Sequence, residues 1–177
     1  MRSLQERLTA IRTKLKETGT TIGLALTESE VGRFEQDHGI ELPLDYREFL
    51  LKVGNGCRGP PHYGLLRLGD LPQALSQQEA ERAAMPDTLR TAFPFTRPWV
   101  WEAGEATEEG DDADVDRGIL HLGTDGCGMC WALIVTGPDR GNVWLLTGEG
   151  ICHTVPKRSF TQWFEDWLDG RTDWWDA

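Results

Sequence analysis

Long apolar runs are what this chain of 177 residues most plainly lacks: none approaches the roughly 20 residues that would span a bilayer. Met1-Arg2-Ser3 leads straight into a polar helical pattern, without an apolar leader core or a small-residue cleavage site. The expectation is therefore a cytoplasmic protein that does not enter membranes. Bases are scarce too: 18 Lys and Arg stand against 29 Asp and Glu, a formal charge of -11. That balance repels nucleic acid and anionic lipid, keeps the chain soluble and favours a basic partner. Only four cysteines are present, and a chain of this length has no need of disulfides to complete its core. There is no internal repeat and no Pro/Gly/Ser-rich linker, so residues 1–177 are expected to form one domain.

What is present is a succession of well-punctuated elements. Ser3 and Glu6 form a capping-box pattern ahead of the stripe Leu4, Leu8, Ile11 and Leu15, and Gly19 follows. Thr27 and Glu30 repeat the device, with Leu26 and Val31 placed as a hydrophobic staple and Gly39 as the stop. Leu42, Tyr46, Phe49, Leu50 and Val53 then recur at helical spacing behind Pro43, before Gly54-Asn55-Gly56. Residues 57–62 read as a loop, 63–68 as a possible strand, 73–84 as a helix by propensity, and the proline-containing 85–98 as irregular.

From residue 119 the pattern changes. Short apolar runs at 119–122, 129–136, 142–147 and 151–155 read as strands, with 123–128 and 137–141 as the turns between them. Ser159 and Gln162 open a last helix whose apolar face is Phe160, Trp163, Phe164, Trp167 and Leu168, and Gly170 closes it. Helices first, strands next and a final helix predict an α+β fold: a largely antiparallel sheet flanked by N-terminal helices and a C-terminal helix.

The run from Thr27-Glu28-Ser29-Glu30-Val31 through Phe34-Glu35, Gly39-Ile40, Leu42-Pro43, Asp45-Tyr46 and Phe49-Leu50 to Asn55-Gly56 resembles the opening of the SUKH superfamily. The glycine-rich turn 123–128, the hairpin around Trp131-Ala132-Leu133 and Gly137-Pro138-Asp139-Arg140-Gly141, and the closing Phe160, Trp163, Phe164, Trp167 are similar to the family's second half. The resemblance covers about residues 22–169 in order. It implies a non-enzymatic protein-binding domain without a cofactor. In bacteria that means an immunity protein neutralising a toxin by stoichiometric binding; the other implied role is a regulator or scaffold in a signalling, cell-wall or biosynthetic assembly. The family carries no catalytic residues to transfer, so its glycines mark a scaffold.

Candidate binding residues come instead from charge. The segment 102–118, an insertion relative to the family pattern, contains Glu102, Glu105, Glu108, Glu109, Asp111, Asp112, Asp114 and Asp116, with no Lys or Arg before Arg117. Such a run is either a solvated loop or a contact for a basic toxin domain, whose approach it would accelerate at low salt. Asp125 and Asp139, in the turns nearby, are weaker candidates. Asp112, Asp114 and Asp116 alternate like the start of a calcium loop, but Arg117 and Gly123 occupy the positions of the required Gly and Glu. Cys127 and Cys130, with Cys152 and His153, suggest zinc; adjacent strand residues point to opposite faces, which opposes four-ligand convergence. His38, His62, His121 and His153 have no catalytic motif partner, and a strand follows the glycines at 123–128 where a phosphate loop would need a helix. Trp99 and Trp101 are expected to pack over the core edge. Trp174 and Trp175, in the acidic tail 171–177, either fold back or dock a partner.

Overall fold

The computed structural model describes residues 2–59, 63–73, 75–100 and 115–171. Five helices are present among them: α1 (Leu4–Glu17), α2 (Glu28–His38), α3 (Leu44–Lys52), α4 (Gln77–Ala83) and α5 (Phe160–Leu168). Five strands, β1 (Trp99–Val100), β2 (Ile119–Gly126), β3 (Met129–Ile134), β4 (Val143–Thr147) and β5 (Gly150–His153), form one antiparallel sheet in the order β1-β5-β4-β3-β2. The fold is α+β, as the element order predicts.

The helix punctuation works as the sequence suggests. Ser3 and Glu6, and Thr27 and Glu30, exchange side-chain and backbone hydrogen bonds, and Ser76 and Glu79 do the same at α4. Each such cap satisfies amides that the helix itself leaves open, and is worth about 1 kcal/mol. Gly39 ends α2 in the left-handed region, at φ 63. The first turn of α5 is capped from a distance: Asp45 in α3 accepts from the Thr161 amide at 2.9 Å and its hydroxyl at 3.1 Å. The Asp-Tyr pair of the α3 motif thus sets the docking of the last helix, and Tyr46 and Phe49 meet Phe160 edge-on beside it.

Gly54-Asn55-Gly56 does more than stop α3. The Gly23 amide donates to the Gly56 carbonyl at 2.7 Å, and the Asn55 side chain accepts from the Leu68 amide at 2.8 Å. A Cβ on Gly23 would lie 2.1 Å from the Asn55 carbonyl oxygen, so only glycine permits this approach. Residues 63–68 therefore do not form a strand. Leu65 makes an isolated bridge with Cys57, and the Leu66 amide reaches across to the Leu122 carbonyl.

Strand β2 runs further than its glycines suggest. It continues through the predicted turn as far as Gly126, with register shifts after His121 and after Thr124, and the reversal is confined to Cys127-Gly128. Both turn residues have positive φ, 52 and 77, the signature of a tight type I′ hairpin. Helix α4 is shorter than the predicted 73–84, and β1 has no counterpart in the sequence reading.

The sheet separates two cores. Leu120, Leu122, Trp131, Leu133, Val143 and Leu145 point toward α1, α3 and α5, where Trp131 lies 5.4 Å from the Trp163 ring. Ile119, Ala132, Ile134, Trp144 and Ile151 point the other way, and Phe93, Phe95, Trp99 and Val115 cover them. The strand alternation produces this division directly. Helix α1 is fastened to α5 by Arg2 and Arg7 on the buried Glu165 and by Lys14 on Asp169.

Candidate partner-binding surface

The acids proposed for partner contact divide sharply. Glu102, Glu105, Glu108, Glu109, Asp111, Asp112 and Asp114 lie outside the described residues, as do His62, Trp101, Trp174 and Trp175. Asp116, next in line, is not a surface acid: it is buried and accepts from Arg82 Nε at 2.9 Å. Asp139 is buried as well, accepting from Trp144 Nε1 at 2.5 Å and pairing with Lys157. Both carboxylates are committed inside the fold because desolvating an unpaired charge is too costly. Asp125 is half-buried near the tip of β2 and not in a separate turn.

Among the described residues the cysteines and histidines do not converge. Cys152 packs in the core under the helices, while the His153 ring meets Trp144 edge-on at 5.3 Å in the opposite one. Among the described residues no three His, Cys, Asp or Glu side chains are grouped to hold a metal ion. Burial pushes the thiols of Cys57, Cys130 and Cys152 up from their usual range. A reactive thiolate needs the reverse. Trp99 stacks on Phe95 at 5.8 Å and helps close the second core.

Beneath α4, on that second face, is a cavity of about 360 Å³. Its floor is the end of the sheet: His121 opposite Ala132 on β2 and β3, then Cys130, Leu146 and Ile151 side by side across β3, β4 and β5. Glu79 and Arg82 descend from α4, and Val115 and Asp116 enter from the side. Exposed Cys127, Gly128 and Gly148, from the two hairpin tips, edge it. The Ser76 hydrogen bonds hold the Glu79 carboxyl below its ordinary range. His121 is 6 % exposed, and neither ring nitrogen has a hydrogen-bond partner among the described residues. Burial drives its pKa down to about 4, against a smaller opposing pull from Glu79. No motif surrounds His121 in the sequence. The available signal was an imidazole inside an otherwise apolar strand run, Ile119-Leu120-His121-Leu122.

Helices pack on one face of the sheet, and an irregular segment and a short helix cover the other. The chain belongs to the SMI1/KNR4 family (SUKH-1), whose model matches residues 25–170. The family is generally non-enzymatic, and its members include toxin-immunity proteins and cell-wall regulators. The match begins after α1, so that helix and its ion pairs with α5 lie outside the matched core or bridge onto it. No curated protein and no solved structure gives a significant match to the chain. Among the described residues no helix is long and apolar enough to cross a membrane.

Proposed function

We propose that this chain is an immunity protein that neutralises a cognate bacterial toxin by binding it one to one, without catalysis. The observation that carries this reading is the family match over residues 25–170. The charge of -11 and the acidic run at 102–114 favour a basic toxin domain, such as a nuclease. Glu102, Glu105, Glu108, Glu109, Asp111, Asp112 and Asp114 are the proposed contacts, with Asp125 as a further one. Asp116 and Asp139 are set aside because their carboxylates serve the fold. Binding takes place in the cytoplasm, where the toxin would act. The second reading, a regulatory or scaffold protein in a signalling, cell-wall or biosynthetic assembly, rests on the same family membership.

The test is co-expression with a toxin encoded beside the gene. Protection of growth by the wild type, and weaker protection after replacing Asp111, Asp112 and Asp114 with Asn, is the expected result. Growth arrest that the wild type does not relieve would defeat the immunity reading.

A further inference from the structure

The helices cover their face of the sheet unevenly. On that face Trp131, Leu145 and Cys152 stand in one row across β3, β4 and β5. Helix α5 starts beside β4, where Ser159 bridges Asn142, and brings Trp163 to 5.4 Å and Trp167 to 6.4 Å from the Trp131 ring. It stops at Leu168. Beyond the row, towards the hairpin tips, the alternation of β3 and β4 continues this face with Met129 and Thr147. Met129, Thr147, Cys152, Trp167 and Leu168 are half-buried, whereas Trp131, Trp163 and Phe164, deeper under α5, are fully buried.

The route of the chain at this end is fixed. Gly170, at φ 70, ends α5 in a Schellman motif: its amide donates to the Trp167 carbonyl at 3.0 Å, and the Arg171 amide donates to the Asp166 carbonyl at 2.8 Å. Trp174 and Trp175 follow three and four residues after Arg171, a reach of about 10–13 Å. Met129 is about 7 Å along β3 from Trp131, within that reach of the last turn of α5. An indole has about 150–250 Å² of surface to bury, and the flanking Asp173 and Asp176 can stay in water while it does so. We infer that Trp174 and Trp175 pack back onto this end of the sheet, over Met129 and Cys152 and against Trp167, and complete the first core. So short a tether supplies the indoles at an effective concentration on the order of millimolar, which favours this site over a separate partner. The inference is independent of the immunity reading and takes the tryptophan pair out of the partner contacts.

The test compares the wild type with a Trp174→Ala, Trp175→Ala variant of the full chain. Met129 is one of three methionines, so its methyl group is readily followed by NMR and assigned with Met129→Leu. The expected result is a Met129 methyl displaced by indole ring currents in the wild type and moved back in the variant. The displacement should be independent of protein concentration. The variant should also melt about 3–6 °C lower, and its Cys152 should be alkylated faster. A Met129 methyl at the same position in both proteins would overturn the inference, and so would a displacement that disappears on dilution, since the indoles would then come from a second molecule. Loss of partner capture in the variant with Met129 unmoved would instead assign the pair to the partner.

Discussion

His121 makes the stability of this protein depend on pH in a way that can be worked out in advance. In the unfolded chain its imidazole takes up a proton near pH 6.5; in the folded chain burial delays this to about 4. The folded pKa is depressed, so the unfolded state binds more protons between those values and stability falls as the pH drops through them. The loss is about 2 kcal/mol by pH 5 and about 3 kcal/mol by pH 4, measured from neutral pH. Among the described residues, the charged and titratable groups lining the two cavities that His121 borders are Glu79, the Arg82–Asp116 pair, Cys127 and Cys130, with His38 and Asp70 in the second. Other acids titrate over part of the same range, so the informative quantity is the difference between wild type and His121→Leu. Urea denaturation at pH 7.5, 6, 5 and 4.5 gives it. The variant should be as stable as the wild type or more so at pH 7.5, because it removes a buried unpartnered polar group. Its advantage should grow by about 2 kcal/mol at pH 5. Parallel stability curves for the two proteins would refute the argument, since they would mean that the imidazole titrates as if exposed.

Other substitutions probe the scaffold. Asp45→Ala removes the acceptor of the Thr161 amide and hydroxyl, leaves the Ser159–Gln162 capping box of α5 in place, and should cost about 1 kcal/mol by denaturant midpoint. Lys157→Met leaves the buried Asp139 carboxylate with Trp144 as its remaining partner, and should cost about 2 kcal/mol. Cys127→Asn places a residue that tolerates positive φ in the hairpin turn, and should raise stability by about 0.5 kcal/mol in thermal melts. Purified protein should contain no stoichiometric zinc by elemental analysis, because Cys130 and Cys152 face opposite cores; one equivalent of bound zinc would contradict that placement.

The helices were legible because their signals are local. Ser3/Glu6 and Thr27/Glu30 mark helix starts within four residues, and the structure uses both capping boxes. The strand order could be read from apolar runs, but strand limits depend on partners far along the chain. Thr124 belongs to β2 because Cys130 lies opposite it, which overrides a glycine-rich local sequence. Trp99–Val100 is a strand only through Ile151 and Gly150, and two residues have no period to detect. Charge was visible and its placement was not: Asp116 and Asp139 look like their acidic neighbours until Arg82, Lys157 and Trp144 are brought to them. The arrangement at His121 was hidden for the same reason, since Glu79 approaches it from a separate helix.

The most direct measurement of the central claim is capture from native lysate on immobilised wild type and on the Asp111→Asn, Asp112→Asn, Asp114→Asn variant, at low and high salt, with identification by mass spectrometry. The account predicts one stoichiometric basic protein, retained by the wild type at low salt, released at high salt and weakly held by the variant. A wild-type column that retains no stoichiometric protein at either salt would contradict it.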